Sequence, residues 1–175
     1  QIQGFFNIPL DELTAIPMLA QRFRDKGPKD VVVVAPDVGA AKRARRMADL
    51  LDAPIAIIEK QRVGNDEKIN SVSLIGEVEG RAALIVDDEI NTGGSVAAAA
   101  SVLKDRGAGD IYCYAVHPVL SGHAPQTLAC APIKEIVVTD TVPVSEEKRI
   151  LYCDTCGAET EHLHRDVLDA DYNAI

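Results

Sequence analysis

Ala83 to Val96 reads ALIVDDEINTGGSV. An apolar, β-branched run enters two adjacent acids, and a Thr-Gly-Gly-Ser turn then leads into SVAAAASVLKDRG (Ser95 to Gly107). The first run is too short for a stable helix and fits a strand buried on both faces. The alanine-rich run after the turn fits a helix, with Gly107 where a C-terminal cap belongs. Strand, turn, helix: this unit predicts the fold, because the same alternation recurs along the chain.

Upstream, VVVVA (Val31 to Ala35) reads as a second strand buried on both faces, and AAKRARRMADLLD (Ala40 to Asp52) as an amphipathic helix with Ala44, Met47, Ala48 and Leu51 on one stripe. PIAIIEK (Pro54 to Lys60), DIYCYAVHP (Asp110 to Pro118) and EIVVTD (Glu135 to Asp140) continue the strand series. IPMLAQRFRDKGP (Ile16 to Pro28) has proline early and Gly-Pro late, the punctuation of a helix. Strands alternating with helices over short connections predict an α/β fold, a parallel sheet flanked by helices, with ligands beyond the carboxyl ends of the strands. The stretch Gln61 to Gly80, polar at first and containing Gly64 and Asn65, breaks the short-connection rule and reads in its first half as a mobile lid.

The acids and the turn then pose a chemical problem, because phosphate and carboxylate repel. The turn can aim several backbone N–H groups at one point, reinforced by the partial positive charge of the helix N-terminus. Thr92 and Ser95 add hydroxyls, and Gly93 and Gly94 allow close backbone approach. That describes a monophosphate site. The carboxylates of Asp87 and Asp88 are acceptors, so they suit neighbouring hydroxyl donors. A ribose 5-phosphate lying across the turn satisfies both halves. The bland alternative is a plain strand-turn-helix with solvated acids and Ser95 as N-cap.

Bulk properties narrow the classes. A chain of 175 residues with 47% hydrophobic content fits one packed domain. A formal charge of −9 argues against broad nucleic-acid binding. The sequence holds no apolar run of about eighteen residues, and no charged-then-apolar leader opens the chain, so a cytoplasmic protein with no membrane partner is expected. Four cysteines do not make a disulfide framework at this size, and Cys113, inside a strand pattern, reads as a small buried hydrophobe. His117 follows a strand end, where it either lines a site or serves the structure.

IVDDEINTGGS resembles the ribose-phosphate loop of the phosphoribosyltransferase fold, in its type I form. Within that fold QIQGFFNIP, VVVVAPDVGAAKRAR, IAIIEKQR, HPVLSG and VVTDTVPVSEEKR resemble, in the same order, segments from the C-terminal half of the ribose-phosphate diphosphokinase family. The resemblance covers roughly Gln1 to Arg149, so residues 1–150 are expected to form that domain and 151–175 a divergent tail. It implies that Asp87 and Asp88 hold the ribose hydroxyls, and that Asn91, Thr92, Gly93, Gly94 and Ser95 bind the 5-phosphate. In the loop PDVGAAKR it implies that Asp37 and Gly39, helped by Lys42, bind the diphosphate portion of ATP, with Asp37 near magnesium. The neighbouring KRARR charges otherwise read as mostly solvated. EKQR resembles the start of the family's catalytic loop, which makes Lys60 and Arg62 the catalytic cations.

The implied reaction is Mg2+-dependent diphosphate transfer from ATP to ribose 5-phosphate, in an enzyme expected to form a homo-oligomer. Ala40 departs from the family's second glycine, and Asn91 from its more frequent aspartate. In the family a whole N-terminal domain precedes QIQGFF, so this chain is expected to bind ribose 5-phosphate weakly and to catalyse poorly by itself. Cys153 and Cys156 form a C-x-x-C that matches half of a zinc ribbon, with His162 and His164 close behind, which makes Zn2+ a second candidate metal. Two other readings remain at this stage: a phosphoribosyltransferase that consumes the same diphosphate, and a non-catalytic regulatory homologue.

Overall fold

A computed structural model describes residues 2–62, 69–145, 151–152, 159–160 and 163–165, with side chains described over 4–25, 27–59 and 72–145. After a 3-10 turn at Ile2–Phe5 come α1 (Ile16–Lys26), β1 (Val31–Ala35), α2 (Ala41–Leu51), β2 (Ile55–Arg62), β3 (Ile69–Ile75), β4 (Ala82–Glu89) and α3 (Gly94–Asp105). Then follow β5 (Ile111–His117), α4 (Ala124–Ala129), β6 (Glu135–Val138), β7 (Leu151–Tyr152), β8 (Glu159–Thr160) and β9 (Leu163–Arg165). The main sheet has the order β3-β2-β1-β4-β5-β6-β9, and β7 with β8 forms a separate antiparallel ribbon.

The α/β expectation is met, and β1, β2, β4, β5, β6 and β9 run parallel. Each residue of β1 is buried, as a strand covered on both faces requires. Its side chains alternate between two cores. Val32 and Val34 join Ile58, Ile85, Ala99, Leu103 and Leu128, on the side covered by α3 and α4. Val31, Val33 and Ala35 join Leu19, Phe23, Ala44 and Met47, on the side covered by α1 and α2. Phe23 meets the rings of Tyr112 and Tyr114 edge-on at 5.5 Å each, which ties α1 to β5.

One edge corrects the purely parallel expectation. β3 pairs antiparallel with β2 in a hairpin, with a register shift between Gln61 and Arg62. The second half of the stretch read as an exception to short connections is therefore strand. Its sequence carried the signal, since in SVSL the apolar Val72 and Leu74 alternate with serine and pack against the first core. Gly76 follows the hairpin at φ +107°, where an added Cβ would sit 2.8 Å from the Ile55 carbonyl oxygen. Of the expected lid, the first half of Gln61 to Gly80, residues 61–62 and 69–70 are strand, while 63–68 lie outside the described residues, as do Cys153, Cys156 and His162. Short α4 was not anticipated. Cys113 is fully buried as expected, and Cys130 is the C-cap of α4. No described helix is long and apolar enough to cross a membrane.

Candidate functional site

Two strand-to-helix turns emerge side by side, because β1 and β4 are hydrogen-bonded neighbours in the sheet. The turn after β1 is a 3-10 element at Val38–Ala40, started by Asp37, whose Oδ1 accepts from the Ala40 N–H at 2.9 Å. The lack of a side chain at Gly39 keeps this cap open, since a Cβ there would lie 3.1 Å from Asp37 Oδ1. Ala40, the departure from glycine, is buried in the core beneath the turn.

The turn after β4 bends at Gly93, the N-cap of α3, in the left-handed conformation (φ +76°). An added Cβ would meet Leu128 Cγ at 3.0 Å and the Ala124 carbonyl oxygen at 3.4 Å, so both conformation and space demand glycine there. The helix begins at Gly94 and carries no side-chain cap, which corrects the alternative of Ser95 as N-cap. Its first intrahelical bond runs from the Ala97 N–H to the Gly93 carbonyl, so the amides of the preceding turn stand outside the ladder. HPVLSG braces this bend from beyond β5. Leu120 N–H donates to the Ile90 carbonyl and Ser121 N–H to the Asn91 carbonyl, both at 2.9 Å, and the Ser121 hydroxyl donates to Asn91 Oδ1.

Between the turns lies a cleft of about 240 Å3. Of the residues singled out in the sequence, Asp37, Asp87, Asp88, Asn91, Thr92, Gly93 and Ser95 line it, joined by Glu89, Ile90 and Val96. Gly39, Lys42 and Gly94 stand outside its lining. Lys60 and Arg62 lie on β2, opposite Val72 and Ile69, and their side chains are outside the described set. His117 turns elsewhere: its Nδ1 is 2.8 Å from Thr141 Oγ1, which in turn donates to the Val116 carbonyl.

The residue that sequence reasoning missed is Arg43. Its Nη1 lies 3.1 Å from Asp87 Oδ1 and its Nη2 2.7 Å from Asp88 Oδ2, a fork spanning both acids. The KRARR cluster is thus not uniformly solvated. The available signal was spacing, since Arg43 precedes buried Met47 by one helical turn and so flanks the stripe facing the sheet. Asp87 Oδ1 also accepts from the Asp88 N–H at 2.9 Å, and Asp88 Oδ1 from the Glu89 N–H at 3.0 Å.

These surroundings split the pair electrostatically. Burial, with help from a hydrogen bond shared with Asp88 and from the Asp88 charge, pushes Asp87 up to about 6. Burial also opposes the charge of Asp88, but its hydrogen bond with Asp87 and the Arg43 guanidinium hold that carboxyl below the ordinary range. Beneath them, burial and then the nearby Asp87 charge push the Cys113 thiol up. One guanidinium lying across both acids offsets part of their charge beside the bend. Among the described residues, no group of three or more His, Cys, Asp or Glu is placed to hold a metal ion.

The chain matches a family model described as the phosphoribosyl synthetase-associated domain over residues 65–156. It is 47% identical over 150 residues to the ribose-phosphate pyrophosphokinase of Corynebacterium ammoniagenes, covering 86% of this chain and 47% of that protein. It therefore spans about half the length of the curated relatives it matches. The crystal structure of phosphoribosylpyrophosphate synthetase from Mycobacterium smegmatis matches with a TM-score of 0.80 at 36% identity, over 94% of this chain and 50% of that one. Adenine phosphoribosyltransferase from Thermoanaerobacter pseudethanolicus, at 19% identity and a TM-score of 0.50 over 71% of this chain and 76% of that one, shares the fold alone. The chain belongs to the phosphoribosyl synthetase-associated domain family, as a homologue of the ribose-phosphate pyrophosphokinases built on the phosphoribosyltransferase fold.

Proposed function

We propose that this chain supplies the ribose-phosphate and diphosphate sites of a magnesium-dependent ribose-phosphate diphosphokinase. The anomeric hydroxyl of ribose 5-phosphate attacks the β-phosphorus of ATP, the bond to AMP breaks, and 5-phosphoribosyl 1-diphosphate forms. The observation that carries this reading is the uncapped N-terminus of α3 sharing one cleft with an acid pair and with Asp37. The amides of the bend and the hydroxyls of Thr92 and Ser95 take the 5-phosphate, with Asn91 beside them. Asp87 and Asp88 accept from the ring hydroxyls, which places the anomeric oxygen toward the β1 turn. There Asp37, Gly39 and Lys42 receive the diphosphate.

Lys60 and Arg62, carried by β2 next to β1 in the sheet, act on charge that builds on the transferring group. Magnesium, when bound, neutralises phosphate oxygens. The donors fit it, because Mg2+ is held through one or two carboxylates plus substrate phosphates and water. Asp37, with only Oδ1 engaged in capping Ala40, is the residue to hold it. The homo-oligomer expected from the sequence belongs to the same proposal.

The likeness of HPVLSG and EKQR to diphosphokinase segments favours this reading over a phosphoribosyltransferase. The test is AMP release from ATP and ribose 5-phosphate by the full gene product, with Lys60→Ala as control. Mg2+-dependent AMP release that falls at least a hundredfold in the variant supports the assignment. An intact protein that binds ribose 5-phosphate and releases no AMP is a regulatory homologue instead.

A further inference from the structure

Arg43 stands outside the cleft's lining, but it is bonded to two acids that line it and the reaction above gives it no role. It lies on α2 with its side chain 24% exposed and reaches across to β4, where it joins an Asp87 side chain 16% exposed and an Asp88 side chain 58% exposed. A tether between helix and strand needs one such contact. A guanidinium that takes one oxygen from each of two adjacent carboxylates does more, because its planar fork fixes their relative orientation. Together with the backbone bonds from Asp88 and Glu89, it commits Asp87 Oδ1, Asp88 Oδ1 and Asp88 Oδ2 to described N–H donors. Among the described residues, Asp87 Oδ2 is the one oxygen of the pair with no such donor.

We propose that Arg43 is a positioning residue of this site. Its fork holds the two carboxylates side by side so that the uncommitted Asp87 Oδ2 accepts from a sugar hydroxyl, and its charge offsets theirs so that a phosphate dianion can settle on the adjoining amides. The inference rests on the reading of the cleft as a sugar-phosphate site, and it answers how acids and a phosphate cradle coexist there. A sugar hydroxyl donates to that oxygen while Arg43 keeps its bonds to both acids. Among the described residues, the other charged or titratable groups facing the pair are Asp37 and Glu89 along the cleft and the Cys113 thiol beneath, none of them a cation. Among the described residues, Arg43 is the cation paired with these acids.

The experiment compares the intact protein with Arg43→Lys and Arg43→Met at matched pH. Calorimetry gives the dissociation constants for ribose 5-phosphate and for inorganic phosphate. Carbon-13 NMR of the ligand-free protein gives the titration midpoints of the Asp87 and Asp88 carboxyls. Arg43→Met is expected to weaken ribose 5-phosphate binding about tenfold or more, to weaken inorganic phosphate less, and to raise both midpoints. Arg43→Lys, which keeps the charge and loses the fork, recovers the phosphate affinity and only part of the sugar-phosphate affinity. Ribose 5-phosphate affinity within about twofold of wild type in a folded Arg43→Met protein overturns the proposal. If the wild type binds no ribose 5-phosphate, the assignment of the cleft fails, while unmoved carboxyl midpoints in Arg43→Met separately reject Arg43 as the group that holds the acids.

Discussion

Between its ordinary value of 3.8 and about 6, the folded chain keeps a proton on Asp87 that the unfolded chain has released. Because the folded state binds the extra proton, this group's contribution to stability falls as pH rises through that window and is level above it. Asp87→Asn removes the ionisation and keeps the acceptor oxygen, so its melting temperature should exceed that of wild type at pH 8 and match it near pH 4. The gain at pH 8 should be about 1–2 kcal/mol, discounted for the site's contact with water. Calorimetric scans across pH check this, and a gain that is the same at both ends of the range would refute it. At this scale the sequence was legible where chemistry is local: both aspartates, Thr92, Gly93 and Ser95 line one cleft with Asp37. It was silent on Arg43, whose role depends on which neighbouring strand its helix covers, and on Ser121, whose hydroxyl meets Asn91 only through a loop returning from β5.

At the scale of elements, the bend before α3 is held from below by α4, whose Leu128 is 1% exposed and lies within contact distance of the Gly93 backbone. Leu128→Ala should cost about 2–5 kcal/mol of stability, as buried leucine truncations do. It should also weaken inorganic phosphate binding in protein that remains folded, because the void opens directly under the bend. Denaturant melts paired with phosphate titration at low temperature check both parts, and unchanged affinity would show that the bend holds its shape without this support. The longer periodic elements were readable from sequence since each carries its own pattern of burial. α4 was not, because six residues give too little of a helical period. The β2–β3 hairpin was hidden for another reason: a polar connection separates two strands whose pairing runs against the rest of the sheet.

For the whole molecule, the last strand of the main sheet is β9, which pairs parallel with β6 through Leu163 opposite Ile136 and Arg165 opposite Val138. A chain cut after Ile150 loses this cover and leaves one side of β6 without its backbone partners. The shortened protein should melt at a lower temperature and sediment as larger species than the intact one. An unaltered melting temperature and mass would instead support treating residues 151–175 as a separate unit. Nothing in the C-x-x-C and histidine pattern pointed to a strand here, because strand addition at an edge needs backbone groups far more than particular side chains.

The adjacency of β1 and β4 also sets a ruler. Neighbouring strands stand about 4.8 Å apart, and the Val31–Ala82 to Val34–Ile85 register locks these two rigidly at their shared end. On the proposed reading, the offset between the two turns that receive the anionic groups is set by the sheet's spacing and register together with the loops that leave it. On that reading a sugar phosphate longer by one carbon is expected to bind more weakly, with selection by reach inherited in part from the backbone.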